Sequence, residues 1–185
     1  MGEMQRYSRE EIERLLTTID QNLTKPVDVI VIGGAAAALA YRSSRTTVDI
    51  DTANAVNDLK KAYDDAKKAT KLNIPLNPAG VFDPPYNYED RLEELRSLNL
   101  TRLCVFVPEL HDLILMKTMR GDGRDLETIE ELGRKNKVSG RVLVERFKNE
   151  MTQAIGRPED KRLKFLATYA TLFGEKEAEA IEARV

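Results

Sequence analysis

The sequence is poor in the residues that staple small folds or build zinc sites. Among 185 residues there is one cysteine, Cys104, and one histidine, His111. One thiol excludes an intramolecular disulfide framework, and the two together exclude a structural Cys/His metal site. No run of about 18 apolar residues occurs, so neither a transmembrane helix nor a membrane partner is expected. Met1–Arg14 is polar and charged and lacks the apolar stretch of a signal peptide, so the expected location is cytoplasmic. An excess of one charge is also missing. Lys and Arg number 29 against 31 Asp and Glu, a net charge of −2, which gives no global basic field for nucleic acid. The remaining balance, 42% hydrophobic and 32% charged, is that of an ordinary globular chain long enough to bury its own core.

Ser8 and Glu11 read as the capping box of a helix whose apolar face is Ile12, Leu15, Leu16, Ile19 and Leu23. Val27–Ile32 is a short β-branched run ending at Gly33-Gly34, hence a buried strand. Ala35–Arg42 is helix-prone, and Thr46–Thr52 reads as a second strand. Ala53–Leu72 reads as a long charged helix. Residues 73–88 hold four prolines (Pro75, Pro78, Pro84, Pro85) and Gly80, and read mainly as loop, with Val81-Phe82 as a very short strand. Glu89–Leu98 fits helix or strand. Leu103–Val107 is a third strand, stopped by Pro108, and helical patterns follow at 109–120, 125–136, 138–154, 159–173 and 175–183. The expected fold class is α/β (α+β), a small mixed sheet flanked by helices. The expected division is an α/β core at 1–107 and an α-helical C-terminal region at 108–185.

The stretch from Gly33 to Asp51 carries chemistry. Glycine admits close backbone approach and φ > 0, and the following helix start offers N–H groups suited to phosphate oxygens. Further on, Asp49 and Asp51 stand two apart, which in a strand puts both carboxylates on one face, with Cα atoms roughly 6–7 Å apart. Such a pair can share hard cations, Mg2+ or Mn2+. Phosphoryl transfer uses such ions to offset charge and align the reacting oxygens.

Gly33-Gly34-Ala35-Ala36 and Arg45-Thr46-Thr47-Val48-Asp49-Ile50-Asp51 resemble the motifs of the nucleotidyltransferase superfamily, and more closely those of its AbiEii-type toxin branch. Val107-Pro108-Glu109, Lys117 and Gly123-Arg124-Asp125 are similar to a further pattern of that branch, so that the resemblance spans roughly residues 27–135. It implies a Mg2+-dependent transferase that moves a nucleoside monophosphate from an NTP to a hydroxyl of RNA (tRNA) or protein, in a toxin-like role with an antitoxin partner. Under it, Asp49 and Asp51 would be catalytic and hold metal. Gly33, Gly34, Arg45 and Thr47 would bind nucleotide, Lys117 would contact phosphates, and Arg124 and Asp125 would close the site, Asp125 orienting a basic neighbour. Two departures stand out. Family members usually have a third acid on a later strand, whereas Leu103–Val107 has none, the nearest acids being Glu109 and Asp83. The position before Gly123, often arginine, is Asp122, with Arg120 close by. A missing acid can remove the general base, so the alternative is a degenerate nucleotide- or partner-binding protein.

A dinucleotide fingerprint would place glycine where Ala35 stands, and its further βαβ units are missing after Pro108. A Walker A motif is excluded, since no Gly-Lys-Ser/Thr follows. His111 reads as a helix residue rather than a base, and Cys104 as a buried strand residue rather than a nucleophile. Arg134–Lys148 holds six basic residues against Glu145 alone. On one continuous helix, Arg134, Lys137 and Arg141 would share a face that could track RNA phosphates.

Overall fold

Ser8 opens the first helix as the sequence suggests. In the computed structural model its hydroxyl accepts from Glu11 N–H while the Glu11 carboxylate accepts from Ser8 N–H at 2.8 Å. The structure describes residues 5–185; residues 1–4 of the polar N-terminal stretch lie outside the described residues. The chain forms two compact units. One holds the residues up to Gly80 together with Leu92–Pro108, and the other holds Val81–Arg91 with Glu109–Val185.

The first unit is the α/β part. Helix α1 (Arg9–Asn22) buries Ile12, Leu15, Leu16 and Ile19 against α2 (Gly33–Tyr41) and α3 (Lys60–Thr70). Strand β1 (Val27–Ile30) pairs in parallel with β5 (Leu103–Val107), and the two-residue β4 (Glu93–Glu94) pairs antiparallel with β5. A second small sheet pairs β2 (Ile50–Thr52) in parallel with β3 (Leu76–Pro78) across the α3 crossover. Four consecutive alanines, Ala35–Ala38, are all buried. A helix apolar on every side belongs inside, and side chains this small let neighbouring backbone approach closely. Asp20, at the end of α1, accepts from the backbone N–H groups of Thr101, Arg102 and Leu103 and from the Thr101 hydroxyl, at 2.6–3.0 Å. Burial opposes its ionisation, but these bonds outweigh burial and hold its pKa below the usual aspartate value.

The second unit is helical: α4 (Leu110–Arg120), α5 (Gly123–Lys135), α6 (Gly140–Glu150), α7 (Pro158–Phe173) and α8 (Glu175–Ile181). Leu113, Ile114 and Leu115 of α4 are fully buried. Phe165 of α7 is also fully buried and stacks on Phe147 with ring centroids 4.1 Å apart. Asp112, with no exposed surface, takes a bidentate grip from Arg91 at 2.8 and 3.1 Å and a further bond from Arg146 at 2.8 Å.

The mixed α/β class stands, but several elements differ from the sequence reading. The Thr46–Thr52 strand is broken: Thr47 bridges to Tyr7, the chain bends at Val48, and the strand proper begins at Ile50. The helix expected from Ala53 starts only at Lys60, after a 3-10 turn at Asn57–Leu59, because Ala53 and Asn54 serve β1 instead. Ala53 N–H bonds the Ile30 carbonyl, and the Asn54 carboxamide bonds Ile30 N–H and the Asp28 carbonyl. Leu76–Pro78, read as loop, is a strand, whereas Val81-Phe82 is not. The Arg134–Lys148 stretch is interrupted: α5 ends at Lys135 and α6 begins at Gly140. Arg134, Lys137 and Arg141 therefore share no helix face, and Arg146 is spent on Glu109 and Asp112.

Candidate functional site

The glycine turn and the aspartates meet inside the first unit. As β1 ends, Val31 bridges antiparallel to Thr52, and Ile32 N–H bonds the Asp51 carbonyl at 2.9 Å. That stitch presses the turn onto β2. Gly33 has φ +67°, a left-handed conformation that disfavours any side chain. A Cβ there would lie 3.4 Å from Asp51 Oδ2. Gly34 has a different reason to be glycine: its Cβ would lie 3.0 Å from Thr47 Oγ1 and 3.3 Å from Thr47 Cβ. The buried Thr47 hydroxyl in turn reaches Asp49 Oδ1 at 3.4 Å. Gly33, Gly34, Thr47, Asp49 and Asp51 thus form one contiguous cluster. Asp49 stands just before the strand and Asp51 within it, both half-buried. Arg45 is half-exposed on the approach, its N–H on Ser43 Oγ at 3.3 Å. Helix α2 starts at this turn with no side-chain cap, so its first amides and its positive dipole end face the same cluster.

Among the described residues, no group of three or more His, Cys, Asp or Glu side chains is gathered to hold a metal. Two carboxylates beside a hollow that a Cβ would fill are a donor set for a hard cation whose other ligands are phosphate oxygens and water. The residues present fit Mg2+ or Mn2+ on those terms.

Lys117, Arg124 and Asp125 belong to the second unit. Lys117 is 3% exposed and its ammonium sits 3.1 Å from Asp125 Oδ1. Asp125 also takes Arg120 at 2.6 and 2.8 Å and closes the α5 capping box by accepting from Asp122 N–H at 3.2 Å. Burial opposes ionisation of Asp125, but Arg120 and Lys117 keep its pKa below the usual range. Arg124 is exposed, 3.6 Å from Asp122.

The two acids nearest to a third carboxylate are engaged elsewhere in the second unit. Asp83 accepts from Ile155 N–H at 3.1 Å. Glu109 caps α4, accepts from His111 Nδ1 at 2.7 Å and pairs with Arg146. Burial raises the Glu109 pKa, but those bonds win and bring it from 4.5 down to about 2. His111 spends both ring nitrogens, since Nε2 accepts from Ser139 N–H at 2.9 Å. It holds the start of α6 and is no general base. Cys104 is half-exposed on β5, and burial and the neighbouring Asp28 push its thiol pKa up, the reverse of what a nucleophile needs.

A residue outside the sequence reading stands beside the cluster. Asn77 on β3 is the register partner of Asp51 and is exposed. Its signal was the alternation Leu72, Ile74, Leu76 buried against Asn73, Pro75, Asn77 exposed, obscured by the prolines.

Residues 9–176 match the family described as nucleotidyltransferase of unknown function (DUF6036). The chain belongs to that family, and with it to the nucleotidyltransferases at large. No curated protein and no solved structure matches it.

Proposed function

We propose that the protein transfers a nucleoside monophosphate from an NTP to a hydroxyl, with the glycine turn, Thr47, Asp49 and Asp51 as the site. The observation that carries this reading is the packing of Gly33 within a missing Cβ of Asp51. Backbone at the start of α2 would receive phosphate oxygens while the two carboxylates face the same ions. Mg2+, when bound, supplies charge neutralisation and alignment of the phosphates. The acceptor oxygen would form its bond to the α-phosphorus as the bond to the bridging oxygen breaks. Pyrophosphate leaves, and the acceptor proton passes to solvent, since neither His111 nor Cys104 is available to take it.

The acceptor is proposed to be an RNA such as tRNA, or a protein. The likeness to AbiEii-type toxins supports a toxin role in the cytoplasm with an antitoxin partner. Lys117, Arg124 and Asp125 are proposed to assist nucleotide binding. A second reading, nucleotide holding without turnover, is favoured by the finding that, among the described residues, no third His, Cys, Asp or Glu side chain is gathered with Asp49 and Asp51 to hold a metal.

Incubation with each labelled NTP, Mg2+ and total tRNA or protein tests the two. Transfer predicts label on the acceptor and released pyrophosphate, both abolished by Asp49→Asn. Holding predicts saturable NTP affinity with neither product. Label transfer that survives Asp49→Asn/Asp51→Asn would reject the site altogether.

A further inference from the structure

We infer, resting on that proposed nucleotide site, that a bridge between Tyr7 and Thr47 positions Asp49 for the cation, so that the segment ahead of α1 belongs to the site. Asp49 itself lies outside any strand, since the chain bends at Val48 and β2 begins at Ile50. On its C-terminal side Ile50 N–H donates to the Pro75 carbonyl at 2.8 Å. On its N-terminal side the hold is at Thr47. Tyr7 N–H donates to the Thr47 carbonyl at 2.7 Å and Thr47 N–H to the Tyr7 carbonyl at 3.0 Å, the double exchange of an antiparallel pair. Tyr7 is 3% exposed, and its phenol donates to the Asn73 carbonyl at 3.0 Å, on the stretch that leads into β3. Arg6 adds a bond from Nε to Thr46 Oγ1 at 2.8 Å.

What Thr47 does from this fixed place follows from its side chain. The side chain is buried, its hydroxyl donates to Asp49 Oδ1 at 3.4 Å, and it packs against the hollow at Gly34. A threonine hydroxyl has one proton to give. While Asp49 holds that proton, it is not available to a phosphate oxygen. At 3.4 Å the bond is long for a hydroxyl donor, so its persistence depends on where the backbone of Thr47 is held. Tyr7 supplies that hold. A carboxylate tied at one oxygen has lost part of its rotational freedom before a cation arrives, and a site ordered in advance binds more tightly. Thr47 is therefore a positioning residue for Asp49, and Tyr7 acts through it.

The test titrates Mn2+ with non-hydrolysable analogues of all four NTPs, followed by calorimetry and by electron paramagnetic resonance of the bound ion. Thr47→Val keeps the shape and the backbone bridge but removes the proton. It should lower the Mn2+ affinity about two- to tenfold, the net worth of one hydrogen bond. It should also broaden the Mn2+ lines, because Asp49 no longer holds one orientation. Thr47→Ser should restore both. Tyr7→Pro removes an N–H of the bridge and should broaden the lines as Thr47→Val does. If Tyr7→Pro loses its native circular dichroism, an ester in place of the Tyr7 amide removes the same N–H without changing shape and takes its place. Wild-type affinity and lines in Thr47→Val, or no recovery in Thr47→Ser, would overturn the inference. So would lowered affinity with unbroadened lines, which would make Thr47 a nucleotide contact. Wild-type lines without the bridge would overturn the role of Tyr7. The parent reading fails differently. If wild type takes up no analogue with Mn2+, or if Asp49→Asn/Asp51→Asn keeps Mn2+-dependent uptake, the site itself is wrong.

Discussion

The two compact units set their aspartates in different surroundings. In the helical unit Asp112 and Asp125 are buried and gripped by arginine or lysine, so their charge is consumed in holding helices together. In the α/β unit Asp49 and Asp51 are half-buried and packed beside glycine and threonine. A carboxylate on an arginine has its counter-charge built in. One that packs beside a glycine turn leaves space there for the oxygen atoms of a ligand. Residue type alone does not separate these cases; the neighbour does.

The largest effect expected from breaking this contrast is at Asp112. Asp112→Ala strands Arg91 and Arg146 and should cost about 3–5 kcal/mol in urea unfolding. Next, Asp49→Asn/Asp51→Asn should abolish metal-dependent NTP binding in calorimetry, with a smaller loss of stability than Asp112→Ala. If the double variant lost as much stability as Asp112→Ala, the two kinds of aspartate would be the same kind.

The glycines sharpen the comparison at smaller cost. Gly33→Ala should cost about 1–2 kcal/mol, the penalty for a side chain in left-handed backbone, read as a lower thermal midpoint. Gly34→Val should weaken NTP binding while circular dichroism stays native, because its side chain would press on Thr47 beside the aspartates. Unchanged NTP affinity in Gly34→Val would make the turn purely structural.

The smallest effect appears only in acid. The folded pKa of Glu109 lies below its ordinary value, so its stabilising contribution is present above pH 4.5 and is lost as pH falls toward about 2. Stability measured from pH 5 to 2 should fall less steeply in Glu109→Gln than in wild type. Equal slopes would show that Glu109 gains nothing from Arg146 and His111.

Much of the α/β unit is legible in the sequence because its signals are local. The Ser8–Glu11 box, the apolar spacing of α1 and the glycine pair after β1 each sit within a few residues. The nearness of Gly33 to Asp51 is read from the order turn, helix, strand. What escaped is non-local. Strand β3 follows Pro75, ends in Pro78 and earns its state only by pairing with β2, so Asn77 was not visible as a neighbour of Asp51. Ala53 and Asn54 look helical but serve the edge of β1. The basic residues near 134–148 look like one face until a loop at 136–139 divides them.

Strand β3 also governs how another chain could approach. Ile50 N–H bonds the Pro75 carbonyl and Ala79 N–H bonds the Thr52 carbonyl, both at 2.8 Å. The odd-numbered residues therefore turn their backbone inward to β2, and Leu76 and Pro78 turn theirs outward. Pro78 has no N–H, which interrupts the row of donors on that border. An incoming strand finds no continuous ladder to extend there. This border therefore works against templated self-association through strand pairing.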